Sequence, residues 1–171
     1  SGSGIAALCL GARVPGLGLA GLEIQPAYAD LARRNATENG HALEVFTGDL
    51  TDMPVPLRQR QFDHVIANPP YFNRAASTPA RDPGREHGMG ETCALAEWVA
   101  AAARRAAPKG QVTLIQRADR LPDLIAAMAA HLGSLEVLPL IPRQGRAARL
   151  VLMRGRKGGR AEFRLHDGVC L

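Results

Sequence analysis

The residues most able to do chemistry are Asn68, Pro69, Pro70 and Tyr71, which directly follow the strand-like run Phe62–Ala67. Each proline has a fixed φ and no backbone N–H, and a residue that precedes a proline is pushed to extended backbone. Ordinary turns use Gly, Asn, Asp and a single Pro, so a double proline between an amide and a ring is unusual. The stretch predicts a strand that ends in a rigidly presented amide, carbonyl and aromatic ring.

A second group lies at the start of the chain, where Gly2, Gly4 and Ala7 fit the pattern G-x-G-x-x-G/A. Glycines in such a turn let the backbone approach a ligand closely, and Glu23 follows Gly4 by 19 residues, at the end of the next strand-like run. A carboxylate there can accept both hydroxyls of a ribose. The pattern suits a nicotinamide dinucleotide or any other adenosine-containing cofactor, although Glu23 could equally be a surface carboxylate.

Asp49 adds a carboxylate just after the third strand-like run, in the stretch TGDL. In a doubly wound sheet the carboxyl ends of the strands line one crevice, so we expect Glu23, Asp49 and Asn68 to face the same ligand. The alternative for Asp49 is that it caps a helix beginning near Asp52.

Helix-like and strand-like segments alternate along the chain. Their periodicity and punctuation predict an α/β fold, a Rossmann-like, doubly wound and mostly parallel sheet with an antiparallel last strand. The expected helices are 4–13, 26–40, 93–107 and 121–132, and the expected strands are 17–24, 43–46, 62–67, 111–116, 135–141 and 150–154. A Pro-rich connection is expected around Pro54 and Pro56.

The opening SGSG is a glycine-rich turn that enters a helix with no strand before it. We expect that the chain lacks the first strand of the sheet, and the alternative is an artificial Gly/Ser tag. No repeat or low-complexity linker interrupts the sequence. A single domain over residues 1–171, incomplete at its N-terminus, is therefore predicted.

Composition narrows the class of protein. With 171 residues, 46% of them hydrophobic, the chain can form one core, and no apolar run approaches the roughly 18 residues of a membrane span. Cys9, Cys93 and Cys170 have no metal-ligand spacing, which predicts no metal, no disulfide frame and a cytoplasmic setting. The oligomeric state cannot be predicted from this composition.

The positive charge is concentrated near the C-terminus. From Arg143 onward there are eight Arg and Lys residues and two side-chain carboxylates. The whole chain has a net charge of +5. A basic segment on a nearly neutral body predicts contact with a polyanion. Arg far outnumbers Lys in the chain, so the alternative is a coding bias in which these arginines only solubilise the protein.

The segment 73–91 is predicted to be a long loop rich in Gly, Pro and Arg beside the NPPY stretch. Long loops with hinge residues commonly order over a substrate. The arginines of this loop, Arg74, Arg81 and Arg85, and the preceding Phe72 are expected to bind substrate. His87 has no partner that the sequence identifies, and Trp98 is expected in the core.

Taken together, these motifs resemble the class I S-adenosylmethionine-dependent methyltransferases that methylate planar nitrogens. The resemblance implies that the Asn68 side-chain oxygen and the Pro69 carbonyl accept hydrogen bonds from an exocyclic amine, while Tyr71 stacks on the target base. The lone pair of such an amine is delocalised into the ring, and two fixed acceptors can turn it toward the sulfonium methyl group. In-line displacement then depends on positioning. The implied S-adenosyl-L-methionine site comprises Ser1, Gly2, Ser3, Gly4, Glu23, Ile24, Asp49, Leu50 and Asn68, and the implied catalytic stretch is Asn68, Pro69, Pro70 and Tyr71.

The stretches GLEIQPAYADLARRNATENG, GDL and FDHVIANPPYF further resemble the bacterial family that methylates N6 of the adenine beside the anticodon in a valine tRNA. This resemblance implies a tRNA partner and covers nearly the whole chain. The NPPY motif is shared with methyltransferases that act on DNA adenine, on guanine N2 of rRNA and on a glutamine of release factors, so these substrates stay open. A non-catalytic RNA-binding relic and a dinucleotide-dependent dehydrogenase are further alternatives, but a dehydrogenase would leave NPPY unexplained, as would a chance Pro-Pro turn.

Overall fold

A computed structural model describes residues 2–70 and 95–171. The chain forms two compact units, Ser1–Arg60 and Gln61–Leu171, and each is described by itself. The prediction of a single methyltransferase domain over residues 1–171 stays a prediction.

The first unit is built on two parallel strands. Its elements in chain order are α1 (Ile5–Arg13), β1 (Leu19–Glu23), α2 (Pro26–Glu38), β2 (Leu43–Thr47) and α3 (Val55–Arg58). Helix α2 begins at Pro26, since the first helical turn needs no donor at that position. The buried face of α2 consists of Ala29, Ala32 and Ala36, small side chains that let the helix approach the strands closely. β1 and β2 pair in register from Leu19 opposite Leu43 to Glu23 opposite Thr47, so both strands end at the same edge.

The second unit contains a six-stranded sheet and two helices. In chain order it has β3 (Phe62–Ala67), α4 (Leu95–Arg105), β4 (Ala106–Arg117), a 3-10 turn (Ala118–Arg120), α5 (Leu121–Ala129), β5 (Gly133–Ile141), β6 (Leu150–Arg156), β7 (Arg164–Leu165) and β8 (Val169–Cys170). The strand order is β3-β4-β6-β5-β7, and β8 also pairs with β5. β3 and β4 are parallel, whereas β6 runs antiparallel to both β4 and β5. The predicted antiparallel last strand is thus confirmed in β6, and two short parallel pieces follow it.

The core of the second unit lies between the sheet and its helices. α4 and α5 contact each other, and both contact β4. The largest fully buried apolar side chains of this core are Val99, Val112, Leu114, Leu124, Met128, Val137 and Met153. Each such side chain contributes about 1.5–3 kcal/mol relative to its exposed state. This core holds β4 in place, and β3 pairs with β4 up to Ala67, which is level with Leu114.

The predicted elements are present, with boundaries that differ by a few residues. The exceptions are α3, which occupies the expected Pro-rich connection, β4, which begins at Ala106 instead of Gln111, and the short strands β7 and β8. Of the described part of the sheets, β1 pairs only with β2 and β3 only with β4. The absent first strand stays a prediction. In residues 2–70 and 95–171 there is no helix long and apolar enough to cross a membrane.

Candidate active site

The glycine turn in the first unit is held by the carboxylate at the end of β1. The Gly2 backbone N–H donates to Glu23 Oε2 at 2.6 Å, and the Gln25 N–H donates to Glu23 Oε1 at 3.0 Å. Glu23 is 8% exposed, so its charge depends on such donors. A carboxylate has about four acceptor positions, and the Gly2 and Gln25 N–H groups occupy two of them.

Two further contacts shape the same turn. The Asn35 side-chain amide on α2 donates to the Ser3 carbonyl at 2.9 Å. Gly4 is the N-cap of α1 with φ of 81°, in the left-handed region that favours glycine. A Cβ on Gly4 would lie 3.2 Å from both Ala32 Cβ and Leu43 Cδ2. Backbone conformation and close packing against α2 and β2 therefore both favour glycine at position 4.

Asp49 lies at the edge of the sheet where Glu23 also lies. Glu23 is opposite Thr47, the Gly48 N–H donates to the Glu23 carbonyl at 2.9 Å, and Asp49 comes next in the chain. Asp49 Oδ1 accepts the Thr51 N–H at 2.7 Å and the Thr51 hydroxyl at 2.6 Å. The side-chain and backbone hydrogen bonds from Thr51 lower the pKa of Asp49 and outweigh the opposing effect of partial burial. Asp49 is consequently an ionised acceptor at neutral pH.

The alternative role of Asp49 as a helix cap is not observed. The nearby helix α3 begins at Val55, and its N-cap is Pro54. Asp49 instead closes a local turn with Thr51. Of the neighbouring residues expected in the cofactor site, Ile24 is 54% exposed and Leu50 is half-buried. An exposed apolar side chain directly after Glu23 is available to cover the flat face of a ligand.

The second unit presents the NPP stretch at the end of β3. β3 ends at Ala67, the Asn68 side chain is exposed, and Pro69 is fully buried. Among the described residues, no group donates a hydrogen bond to the Asn68 side chain or the Pro69 carbonyl. The buried proline ring thus anchors the stretch, while the adjacent amide stays available to a ligand. Tyr71, expected to stack on the substrate, lies outside the described residues.

Sequence reasoning missed Gln116, which lies on β4 beside this stretch. Its side chain is 2% exposed, and its amide nitrogen is 3.5 Å from the Pro70 carbonyl, a long hydrogen bond. Its Oε1 accepts the Arg117 N–H at 2.9 Å. The signal was in the alternation of β4, where Val112, Leu114 and Gln116 point to the same buried side. A glutamine in such a series predicts a buried polar contact, here with the NPP stretch.

We expect Gln116→Met to destabilise the full-length protein by about 0.5–1.5 kcal/mol, because it removes the part-buried hydrogen bond from the Arg117 N–H. The same change should lower turnover more than cofactor affinity, since it also removes the contact to Pro70. Denaturant unfolding and steady-state methyl transfer measure the two effects. Gln111→Met, on the same strand and half-buried, is the matched control and should be nearly neutral. Parental stability and turnover in Gln116→Met would contradict the role of this contact.

The structure brings the predicted residues together in two groups. Gly2, Ser3, Gly4, Glu23 and Asp49 surround the carboxyl edge of β1 and β2 in the first unit. Asn68, Pro69 and Pro70 follow β3 in the second. Ile24 and Leu50 directly follow Glu23 and Asp49 in the first unit. The other predicted site residues lie outside the described part of the chain, namely Ser1, Tyr71, Phe72, Arg74, Arg81 and Arg85. In the ranges 2–70 and 95–171 no three His, Cys, Asp or Glu side chains form a group that could hold a metal ion.

Known proteins provide an independent comparison. A tRNA1(Val) (adenine(37)-N6)-methyltransferase of Porphyromonas gingivalis is 31% identical over 128 residues, which are 72% of this chain and 50% of that protein. A release factor glutamine methyltransferase of Geobacter sulfurreducens is 36% identical over 74 residues, 43% of this chain and 25% of that protein. The chain thus spans at most about half the length of these relatives.

A solved structure shares the fold. The crystal structure of a predicted O-methyltransferase from Agrobacterium tumefaciens matches with a TM-score of 0.78 and 26% identity, over 99% of this chain and 76% of that one. This match confirms the predicted Rossmann-like α/β fold class. The family model of the methyltransferase small domain matches residues 1–139. The glycine turn, the strand-end carboxylates and the NPP stretch all fall within that range, and the chain belongs to the methyltransferase small domain family.

Proposed function

We propose that the protein containing this chain transfers a methyl group from S-adenosyl-L-methionine to the exocyclic N6 amine of an adenine in tRNA. The observation that supports this most is the NPP stretch, with Asn68 exposed beside a fully buried Pro69. Membership of a methyltransferase family supports the general reaction, and the tRNA adenine relative supports the substrate. A tRNA substrate would place the reaction in the cytoplasm, where free thiols such as Cys9 and Cys170 are stable.

The first unit has the groups that a nucleoside cofactor needs. Glu23 would accept the ribose hydroxyls and Asp49 would lie near the adenine amine, while the turn around Gly2 and Gly4 lets backbone approach the ligand. The fit rests on the buried Glu23 carboxylate at the end of β1, which accepts backbone N–H groups of the glycine turn and of Gln25. S-adenosyl-L-methionine would supply an electrophilic methyl group on a sulfonium.

The second unit has the groups that an adenine amine needs. Asn68 and the Pro69 carbonyl would accept its two N–H groups and turn the nitrogen lone pair toward the methyl group. The two prolines restrict the backbone of this stretch, so the acceptors need little reorganisation when charge develops on the amine, and their effect is largest in the transition state. The target base must be unpaired or flipped to reach them. Tyr71 would stack on this base, and Phe72, Arg74, Arg81 and Arg85 would complete substrate binding.

A protein glutamine is the second candidate substrate. Its side-chain amide is a planar nitrogen with the same need for two acceptors, and a release factor glutamine methyltransferase is among the relatives. The tRNA proposal is favoured because the tRNA adenine relative matches 72% of the chain, against 43% for the glutamine relative.

The deciding experiment uses the full-length protein with methyl-labelled S-adenosyl-L-methionine and unmodified tRNA, followed by nucleoside analysis. We expect label in N6-methyladenosine. A release factor is offered in a parallel reaction. Label on the factor and none on tRNA would support the glutamine alternative, and label on ribose, on a ring carbon or on neither substrate would refute amine methylation of tRNA.

A further inference from the structure

The basic C-terminal segment begins at Arg143, and the sheet places its cations at two different edges. Ala67 at the end of β3 is level with Leu114, and β4 continues to Arg117, which is opposite Leu150. Because Leu140 is also opposite Leu150, the loop between β5 and β6 lies at the edge where β3 and β4 end. We name this the C-terminal edge, and it is the edge that presents Asn68.

Three arginines of the segment lie in that loop, Arg143, Arg146 and Arg149. The rest follow the loop, and Arg156 is opposite Gln111, which is level with His64 near the start of β3. His64 precedes Asn68 by four residues, which is about 13 Å along an extended strand. The β5–β6 loop is therefore on the side of the NPP stretch, whereas Arg156, Lys157 and Arg160 are at the opposite edge.

Three cations of the segment outside the loop have side-chain contacts with other residues, namely Arg154, Arg156 and Lys157. Arg154 pairs with Glu136 at 2.7 Å, Arg156 donates to the Lys109 carbonyl at 3.0 Å, and Lys157 donates to the Ala106 carbonyl at 2.8 Å. At the C-terminal edge, Arg117 and Arg120 pair with nearby aspartates. By contrast, Arg143, Arg146 and Arg149 are exposed, and their side chains have no partner among the described residues. Three exposed guanidinium groups without a partner in the described ranges therefore lie on the same edge of the sheet as the NPP stretch.

The backbone of the loop fixes how these guanidinium groups are presented. The Arg146 N–H donates to the Arg143 carbonyl at 3.1 Å, and Gly145 has φ of 75°, which closes a tight turn with Arg143 and Arg146 at its ends. The Ala118 N–H donates to the Arg149 carbonyl at 2.9 Å, which ties the other end of the loop to the end of β4. The loop is anchored on both sides while its side chains face solvent.

We propose that Arg143, Arg146 and Arg149 bind phosphates of the RNA strand that flanks the target base, which rests on the proposed tRNA substrate. The loop joins strands that are two and three strand spacings from β3, about 10–14 Å across the sheet, so its arginines are within reach of phosphates close to the target nucleotide. Arginine is suited to this contact because its planar donors match phosphate oxygens. The cations of the opposite edge do not take part.

The test compares two charge-matched triple variants of the full-length protein, Arg143/Arg146/Arg149→Gln and Arg104/Lys109/Arg160→Gln. The control residues are exposed at or near the opposite edge, and no side-chain partner of theirs lies in the described ranges. Affinity for unmodified tRNA is measured over a range of salt concentrations. We expect the loop triple to reduce the log–log salt slope by about 2–3, at 0.7–0.9 per phosphate, and the control triple to keep the parental slope. Thermal midpoint and S-adenosylhomocysteine affinity should match the parent in both variants.

The outcomes separate this surface from the proposed function. The proposed phosphate contacts would be refuted if the loop triple kept the parental salt slope, or if both triples lost the same amount of slope. This holds even when the parent makes N6-methyladenosine in tRNA. If the parent neither binds nor methylates tRNA, both the surface and the proposed substrate are wrong. A loss confined to the loop triple supports the surface.

Discussion

Asn68→Ala is expected to lower turnover by about 100-fold or more while leaving cofactor affinity nearly unchanged. The amide oxygen is one of two acceptors proposed for the target amine, and acceptors of this kind act mainly in the transition state. Its removal therefore affects the rate constant for methyl transfer more than binding. The measurement is transfer of labelled methyl to unmodified tRNA by the full-length protein, with S-adenosylhomocysteine affinity determined by calorimetry.

The structure makes this variant informative because Asn68 contributes little to the fold. Its side chain is exposed and has no hydrogen-bond partner in the described part of the chain, so its loss should leave the unfolding midpoint unchanged. Asp63→Ala is a matched control, since Asp63 is an exposed polar residue on β3 with no assigned role in transfer. Asn68→Asp retains an acceptor oxygen and should keep more activity than Asn68→Ala. Parental turnover in Asn68→Ala would refute the proposed mechanism.

Changes at Tyr71 test the other half of the mechanism. Tyr71→Ala should remove base stacking worth about 1–3 kcal/mol and appear mainly as weaker substrate capture. Tyr71→Phe should keep most activity, because the ring provides the stacking and no task is assigned to the hydroxyl. Steady-state kinetics with varied tRNA concentration distinguishes these results, and a large loss in Tyr71→Phe would show that the hydroxyl participates.

The sequence predicted the strand ends well because their signals are local. β3 has the predicted bounds, since a strand-forming run is followed by two prolines that cannot extend a ladder. The short helix α3 was missed because Pro54 and Pro56 were interpreted as a connection. Proline is also favoured at the start of a helix, and that preference prevailed here.

Contacts between distant residues could not be predicted in the same way. The bond from Gly2 to Glu23 joins residues 21 apart, and the bond from Gln116 to Pro70 joins residues 46 apart. The motif predicts that Glu23 lies at the end of a strand. It does not predict which N–H groups donate to its carboxylate. Likewise, a count of arginines treats the C-terminal segment as one surface, whereas the register of β5 and β6 assigns its members to two edges of the sheet.

Glu23 is the residue for which this distinction matters most. We expect Glu23→Ala to weaken S-adenosylhomocysteine binding by about 1.5–3 kcal/mol, or about 10- to 150-fold, because a charged acceptor to two ribose hydroxyls is lost. The structure adds a second reason, since the same carboxylate holds the Gly2 N–H at 2.6 Å. A loss of affinity alone therefore cannot distinguish direct ribose contact from disturbance of the glycine turn.

A ligand modified at the ribose separates the two roles of Glu23. Calorimetry with S-adenosylhomocysteine and with an analogue that lacks both ribose hydroxyls, on parent and Glu23→Ala proteins, forms a double-mutant cycle. If Glu23 binds the hydroxyls, their removal weakens binding to the parent but has little further effect on Glu23→Ala. Asn35→Ala is the control for the turn, since it removes only the support of the Ser3 carbonyl and should leave the effect of the hydroxyls intact. If their removal weakens binding equally in parent and Glu23→Ala, Glu23 acts only by holding the turn.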